Sequence, residues 1–195
     1  RRNIMLKVHV RWMVRKDLDI VSEIEKECFE FPWTGNDFVA AMRQRNCIGR
    51  VAECDCQIVG YVIYVMNQDN IEITNLGVKK KLRHKGVGTQ MVSQLIGKLD
   101  LQRRPKLILT VRESNVVAQC FFRDVAQPGF RVVKIESDLW VNADEGSWNQ
   151  PEILEDAYHM EYKLGEWSAN NKHLTNRITD YETSLIPWTL AHREK

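Results

Sequence analysis

A mixed α/β fold, with a central and mostly antiparallel sheet flanked by helices, is what this sequence predicts. Three observations carry that prediction. Short segments that alternate apolar and polar residues come in hairpin-like succession, and amphipathic stretches at helical spacing lie between them. One apolar strand then runs through a basic, glycine-containing turn straight into a helix, and a further apolar strand follows. Consecutive hairpin strands pair antiparallel, whereas strand–helix–strand connections favour parallel pairing, so the sheet is mixed.

The elements follow in order. Residues 8–14 alternate as Val, His, Val, Arg, Trp, Met, Val and form a first strand. Asp17 stands where an N-cap would, and Ile20, Val21, Ile24 and Cys28 repeat at helical spacing as far as about Phe29. Pro32 interrupts that pattern, and residues 34–45 read as a second helix with Phe38, Ala41 and Met42 on one face. Residues 48–54 and 58–66 form a hairpin pair turning at Cys54-Asp55-Cys56, and 71–78 is the fourth strand. The helix from Gly88 places Met91, Val92, Leu95, Ile96 and Leu99 on the helical period. Beyond Pro105 lies the apolar strand Leu107-Ile108-Leu109-Thr110-Val111, then a short helix over 115–123 with a Ser or Asn cap. Residues 130–141 and 157–164 are two closing strands, separated by a polar loop around Asp144-Glu145-Gly146.

Composition narrows the function. A chain of 195 residues buries one core with a segment to spare, and 44% hydrophobic with 28% charged residues is ordinary for a globular protein. A net charge of +2 is too small to point to nucleic acid; the basic residues cluster locally, which favours a small anionic ligand. The longest apolar run, residues 58–66, falls well short of the ~20 that span a bilayer, so no membrane segment is expected. Ile4-Met5-Leu6 is too short for a secretory signal core. Five irregularly spaced cysteines argue against a disulfide framework and fit a reducing cytoplasm. Cys54-Asp55-Cys56 lacks a second Cys or His pair at a suitable spacing, so no metal is expected.

The chemistry concentrates at Asn75-Leu76-Gly77-Val78, then Lys79-Lys80-Lys81-Leu82, then Arg83-His84-Lys85-Gly86-Val87-Gly88-Thr89. A strand that runs into a helix start exposes unpaired first-turn amides, which form an anion site, and glycine lets a phosphate approach the backbone. The loop is no Walker motif, since no Gly-Lys-Ser/Thr closes it, and it lacks the third glycine of a dinucleotide fingerprint.

Arg83-x-x-Gly86-x-Gly88 after Asn75-Leu76-Gly77-Val78 resembles the acetyl-coenzyme A loop of the Gcn5-related N-acetyltransferases (GNAT). Phe31-Pro32-Trp33, Val111-Arg112-x-Ser114-Asn115 and Glu155-Asp156-Ala157-Tyr158-x-Met160 agree with it. As a set they are most similar to the ribosomal-protein alanine N-acetyltransferases. The resemblance covers residues 5–164 as an acetyltransferase domain and leaves 165–195 as a C-terminal extension of unknown structure. It implies the GNAT acyl-CoA N-acyltransferase fold, whose splayed central strands admit the pantetheine arm. The cosubstrate it implies is acetyl-CoA, and the acceptor a primary amine, most readily the N-terminus of a ribosomal or other protein.

The resemblance also distributes roles. Backbone amides across Arg83, His84, Lys85, Gly86, Val87, Gly88 and Thr89 would cradle the pyrophosphate. Leu76 and Val78 would pair with pantetheine, and the Leu76 amide would polarise the acetyl carbonyl. Asn115 would contact the cofactor arm, though a helix cap is an equal reading, and Phe122 would lie on the cofactor side. The acid and base positions of the ribosomal branch are not kept. Thr110 replaces the glutamate before Val-Arg, and Phe122 replaces the tyrosine of the short helix. The turn after that helix, Val125-Ala126-Gln127-Pro128-Gly129-Phe130, is two residues longer than the family's.

Substitute bases are Glu72, Glu113 and Tyr158. Glu72 lies two residues before Thr74, so a regular strand would put both on one face; the alternative is an ordinary strand-edge carboxylate. Glu113 is expected in an exposed loop, and Tyr158 is either at the peptide groove or at the edge of the core. Phe31-Pro32-Trp33 either shapes the acceptor groove or staples two helices together. His9, His159, His173 and His192 show no evident partner in sequence. Three competing functions stand beside N-terminal acetylation: transfer to a small amine, acyl-CoA sensing without turnover, and nucleic-acid binding through residues 79–85.

Overall fold

The computed structural model describes residues 5–126, 129–141 and 153–165, and the chain divides into two compact units at Thr110 and Val111. The loop expected around Asp144, the residues Gln127 and Pro128, and the extension from 166 onward lie outside the described residues.

The first unit is a sheet with helices on both faces. Its strands are β1 (His9–Trp12), β2 (Cys47–Cys54), β3 (Gln57–Met66), β4 (Asn70–Val78) and, as far as Thr110, β5 (Lys106–Arg112), lying in that order. β1 to β4 form an antiparallel meander, and β5 runs parallel to β4. The β2–β3 turn is tight, with Asp55 and Cys56 both at positive φ (50° and 60°), the backbone that hairpin turns require.

Helices α1 (Leu18–Cys28) and α2 (Gly35–Met42) join Val51, Tyr61 and Ile63 in one apolar cluster. Helix α3 (Val87–Ile96) packs on β3 and β4 from the other side: Met91 reaches Gly60, adjacent to Tyr61 and hence on the opposite face. Among the described residues no helix is long and apolar enough to cross a membrane.

Several boundaries differ from the sequence expectation for identifiable reasons. Asp17 does not cap α1. Its carboxylate accepts from Val14 N–H (2.8 Å) and holds Arg11 through two bonds of 2.7 and 3.0 Å, so it closes the turn before the helix. Thr34 caps α2 reciprocally with Asp37, and the helix ends at Met42, its last apolar position.

The second unit holds α4 (Val116–Asp124) and the antiparallel pair β6 (Arg131–Val141) and β7 (Ile153–Lys163). β7 begins earlier than expected, because cross-strand pairing with β6 extends through Glu155, despite its charge, to Ile153 opposite Val141. Phe122, Phe130 and Tyr162 stack in sequence with ring centroids 5.2 and 5.7 Å apart, and they anchor α4 to this hairpin.

Candidate active site

Two features of β4 and one of the turn after it define the site. The first is a bulge. Tyr64 faces Ile73 but Ile63 faces Asn75, leaving Thr74 as the extra residue. The second is a parting of strands: among the described residues the β4–β5 ladder ends at Ile73 opposite Leu109, although β4 continues to Val78. From Thr74 to Val78 the strand therefore keeps β3 on one side and presents an open edge on the other.

Backbone alternation shows which groups lie on that edge. Lys79 N–H bonds Val59 O across to β3 at 3.0 Å, so the amides of Val78 and Leu76 point the other way. The Val78 carbonyl on that edge already accepts from Arg83 Nε (3.2 Å) and Cys28 Sγ (3.4 Å).

The turn after β4 is built for close approach. A short 3₁₀ segment, Lys80–Leu82, leads to His84 at φ 59° and Gly86 at φ 79°, and Gly86 is the N-cap of α3. Left-handed backbone at Gly86 costs little because no Cβ is present. Gln90 N–H is bonded to Gly86 O at 3.1 Å, so the amides of Val87, Gly88 and Thr89 precede the first intrahelical bond. Lys80, Lys81 and His84 are exposed beside them, with Lys79, Arg83 and Lys85 half-buried. Amides, positive helix terminus and cations all favour one ligand chemistry, a polyphosphate.

Gln90, which sequence reasoning passed over, fixes this turn. Its Oε1 accepts from Val8 N–H (3.1 Å), and its Nε2 donates to Leu6 O (2.6 Å) and Gly86 O (3.1 Å). Leu6 N–H in turn donates to Lys85 O (3.0 Å). The segment before β1 is thus strapped along the turn. A polar residue in the first turn of a helix gives no periodic signal, so only the fold reveals it.

The comparisons with known proteins agree with this geometry. Residues 18–125 match the family model of the acetyltransferase (GNAT) family. The chain belongs to that family. The acetyltransferase is 36% identical over 115 residues to an uncharacterized N-acetyltransferase of Methanocaldococcus jannaschii, covering 58% of this chain and 73% of the relative. It is 30% identical over 125 residues to a putative ribosomal protein bS18-alanine N-acetyltransferase of Bacillus subtilis (63% of this chain, 83% of the relative). The crystal structure of the ribosomal-protein-S18-alanine N-acetyltransferase from Escherichia coli superposes with a TM-score of 0.67 at 20% identity, covering 84% of this chain and 98% of that one. The protein is an N-acetyltransferase with the GNAT fold.

The expected base candidates fall in different places. The bulge breaks the assumed alternation, so spacing alone does not put Glu72 and Thr74 on one face. Register supplies the face instead. Glu72 faces Val65 and Asn75 faces Ile63, so Glu72, Asn75 and Ile63 lie on the α1/α2 face, opposite Ile73. Glu72 is half-buried, with Oε2 at 3.4 Å from Asn67 Nδ2. The acetyltransferase keeps Thr110 exposed.

Within the second unit, Asn115 is the N-cap of α4, its Oδ1 accepting from Ala118 N–H at 3.1 Å. Phe122 is buried among Phe121 and Phe130. Tyr158 is buried on β7 opposite Ile135. Glu113 is half-buried rather than exposed: its amide donates to Asp156 O (2.8 Å) and its carbonyl accepts from Gln119 Nε2 (2.9 Å). His159 does have a partner, Glu136 Oε2 at 3.0 Å; together with Lys134 it holds that carboxyl below the ordinary glutamate range.

Proposed function

We propose that this enzyme transfers the acetyl group of acetyl-CoA to the N-terminal amine of a protein, in a compartment that keeps its five unpaired cysteines reduced. The open edge of β4 between the bulge at Thr74 and the α3 turn carries this reading. An extended pantetheine arm adds to that edge as a strand would, meeting the amides of Leu76 and Val78. Its pyrophosphate meets the amides from Val87 to Thr89, with Arg83, His84 and Lys85 supplying charge and Gly86 and Gly88 allowing contact.

At the reacting carbon, the Leu76 amide polarises the thioester carbonyl. The amine nitrogen attacks, the C–N bond forms and the C–S bond breaks. The proton lost by the amine passes through water to Glu72, on the α1/α2 face that also carries the Phe31-Pro32-Trp33 loop. Phe122 has no proton to give, so the leaving thiolate is protonated from solvent. A terminal amine has a pKa near ~8, which makes the base modest in its task.

Support for a protein N-terminus over a small amine comes from the named activity of the Bacillus subtilis relative. Glu72→Gln tests the mechanism. It should lower the acetylation rate by about 10²–10⁴-fold at neutral pH with CoA affinity retained, and the loss should shrink as pH rises and the amine deprotonates unaided. Equal rates at neutral pH would remove Glu72 from the mechanism.

A further inference from the structure

The α1/α2 face holds a polar knot that neither the cofactor loop nor the proposed base requires. Glu25 of α1 is 1% exposed, and three segments of chain converge on its carboxylate. Oε1 accepts from Trp33 backbone N–H (2.9 Å) and from Asn75 Nδ2 (3.1 Å), while Oε2 accepts from the Tyr61 hydroxyl. That hydroxyl also stands 3.0 Å from Asn75 Oδ1. Burial, and then the neighbouring Glu25, push the Tyr61 phenol far above its ordinary range, so it remains a donor.

We propose that Glu25 is a positioning residue of the transferase site, its buried carboxylate fixing the acceptor-side loop at Trp33 to strand β4 at Asn75. The proposal rests on the transferase reading above. An apolar side chain at position 25 would extend the cluster of Val21 and Ile24, whereas a buried carboxylate is costly unless its bonds are used. Here the bonds join the turn after α1, β3 and β4. The two segments they tie are the ones that flank the reaction: the Phe31-Pro32-Trp33 loop, and the residue immediately before Leu76.

Packing runs along the same line. The Trp33 ring meets Phe38 edge-on at 5.3 Å, and Phe38 meets Tyr61 at 5.7 Å. Tyr61 lies directly over the backbone of Gly77, where a Cβ would stand 2.6 Å from Cε1. A shift of the Trp33 loop is therefore passed to the Leu76–Gly77 backbone through hydrogen bonds on one side and ring contacts on the other. Phe31 in the same loop is 40% exposed.

The test uses the full chain as wild type, Glu25→Gln and Tyr61→Phe. Acceptor-peptide kinetics are measured at saturating acetyl-CoA, CoA affinity by calorimetry, and hydrogen exchange at the Trp33 amide. Misplacing a reacting partner by an ångström costs up to about 10²-fold, so Glu25→Gln should lower acceptor kcat/KM by about tenfold or more, and Tyr61→Phe by a smaller factor. CoA affinity should stay within about twofold of wild type, and Trp33 exchange should quicken. Unchanged acceptor kcat/KM in a wild type that turns over, or CoA affinity falling in step with it, would overturn the positioning role. If Glu25→Gln does not fold, Tyr61→Phe, which keeps the ring over Gly77, decides on the same criteria. A wild type silent on every amine would overturn the transferase reading itself.

Discussion

The turn between β4 and α3 and the knot around Glu25 lie on neighbouring parts of one sheet, yet they are made in opposite ways. The turn is contiguous in sequence and works through backbone amides and glycines, with Lys80, Lys81 and His84 exposed. The knot joins residues 25, 33, 61 and 75, works through the side chains of Glu25, Tyr61 and Asn75, and buries all three. Their difference separates two duties. A region that must admit a ligand leaves its polar groups unmet by the protein, whereas a region that must hold strands in place satisfies them internally.

Substitutions should divide the two regions accordingly. The largest effect on stability belongs to the knot. Glu25→Ala strands the Trp33 amide and the Asn75 side-chain amide and leaves the Tyr61 hydroxyl with Asn75 Oδ1 alone, and should cost about 3–5 kcal/mol in denaturant unfolding. Lys81→Ala, an exposed change in the turn, should stay within ~0.5 kcal/mol. Comparable losses for the two would erase the distinction.

Gly88→Asp reverses the pattern. It places bulk and negative charge where a phosphate must approach, so CoA affinity should fall by at least about 100-fold, equivalent to ~2.7 kcal/mol. Stability without ligand should change by no more than ~1 kcal/mol, since Gly88 sits in the first helical turn. Retained affinity would move the pyrophosphate elsewhere.

A smaller effect sharpens the comparison outside both regions. Asp17 is 3% exposed and its carboxyl is held below the ordinary range, first by the hydrogen bonds from Arg11. A depressed folded pKa contributes stability that is fully present above the unfolded value of about 3.9 and disappears as pH falls through the folded one. Asp17→Asn should thus cost about 1.5–3 kcal/mol at pH 7, with the gap from wild type closing below pH ~4 in acid titrations. A gap independent of pH would assign Asp17 a packing role only.

Much of this was legible in the chain because it is local. The β4–α3 turn shows itself through Arg83, Gly86 and Gly88 in succession, and the hairpin through the placement of Asp55 and Cys56. What escaped depends on register or on distance in sequence. The bulge at Thr74 adds no distinctive residue, yet it decides which face Glu72 occupies. Glu25 looks like one more charge on an amphipathic helix, and only the arrival of Tyr61 and Asn75 from two strands gives its burial a reason. Asp17 had the right residue type for a helix cap, but Arg11 and the Val14 amide were better placed to claim it. Phe122 marked a missing acid in sequence; the fold shows its ring committed to Phe130.

The most direct test of the central claim is mass spectrometry of a panel of unblocked peptides incubated with the full chain and acetyl-CoA. N-terminal transfer should place a single acetyl group on the α-amine of at least one peptide, with lysine side chains in the same peptides unmodified. Tight CoA binding with no peptide modified would contradict it and leave an acyl-CoA sensor. Acetylation confined to small amines would keep the chemistry and contradict the acceptor.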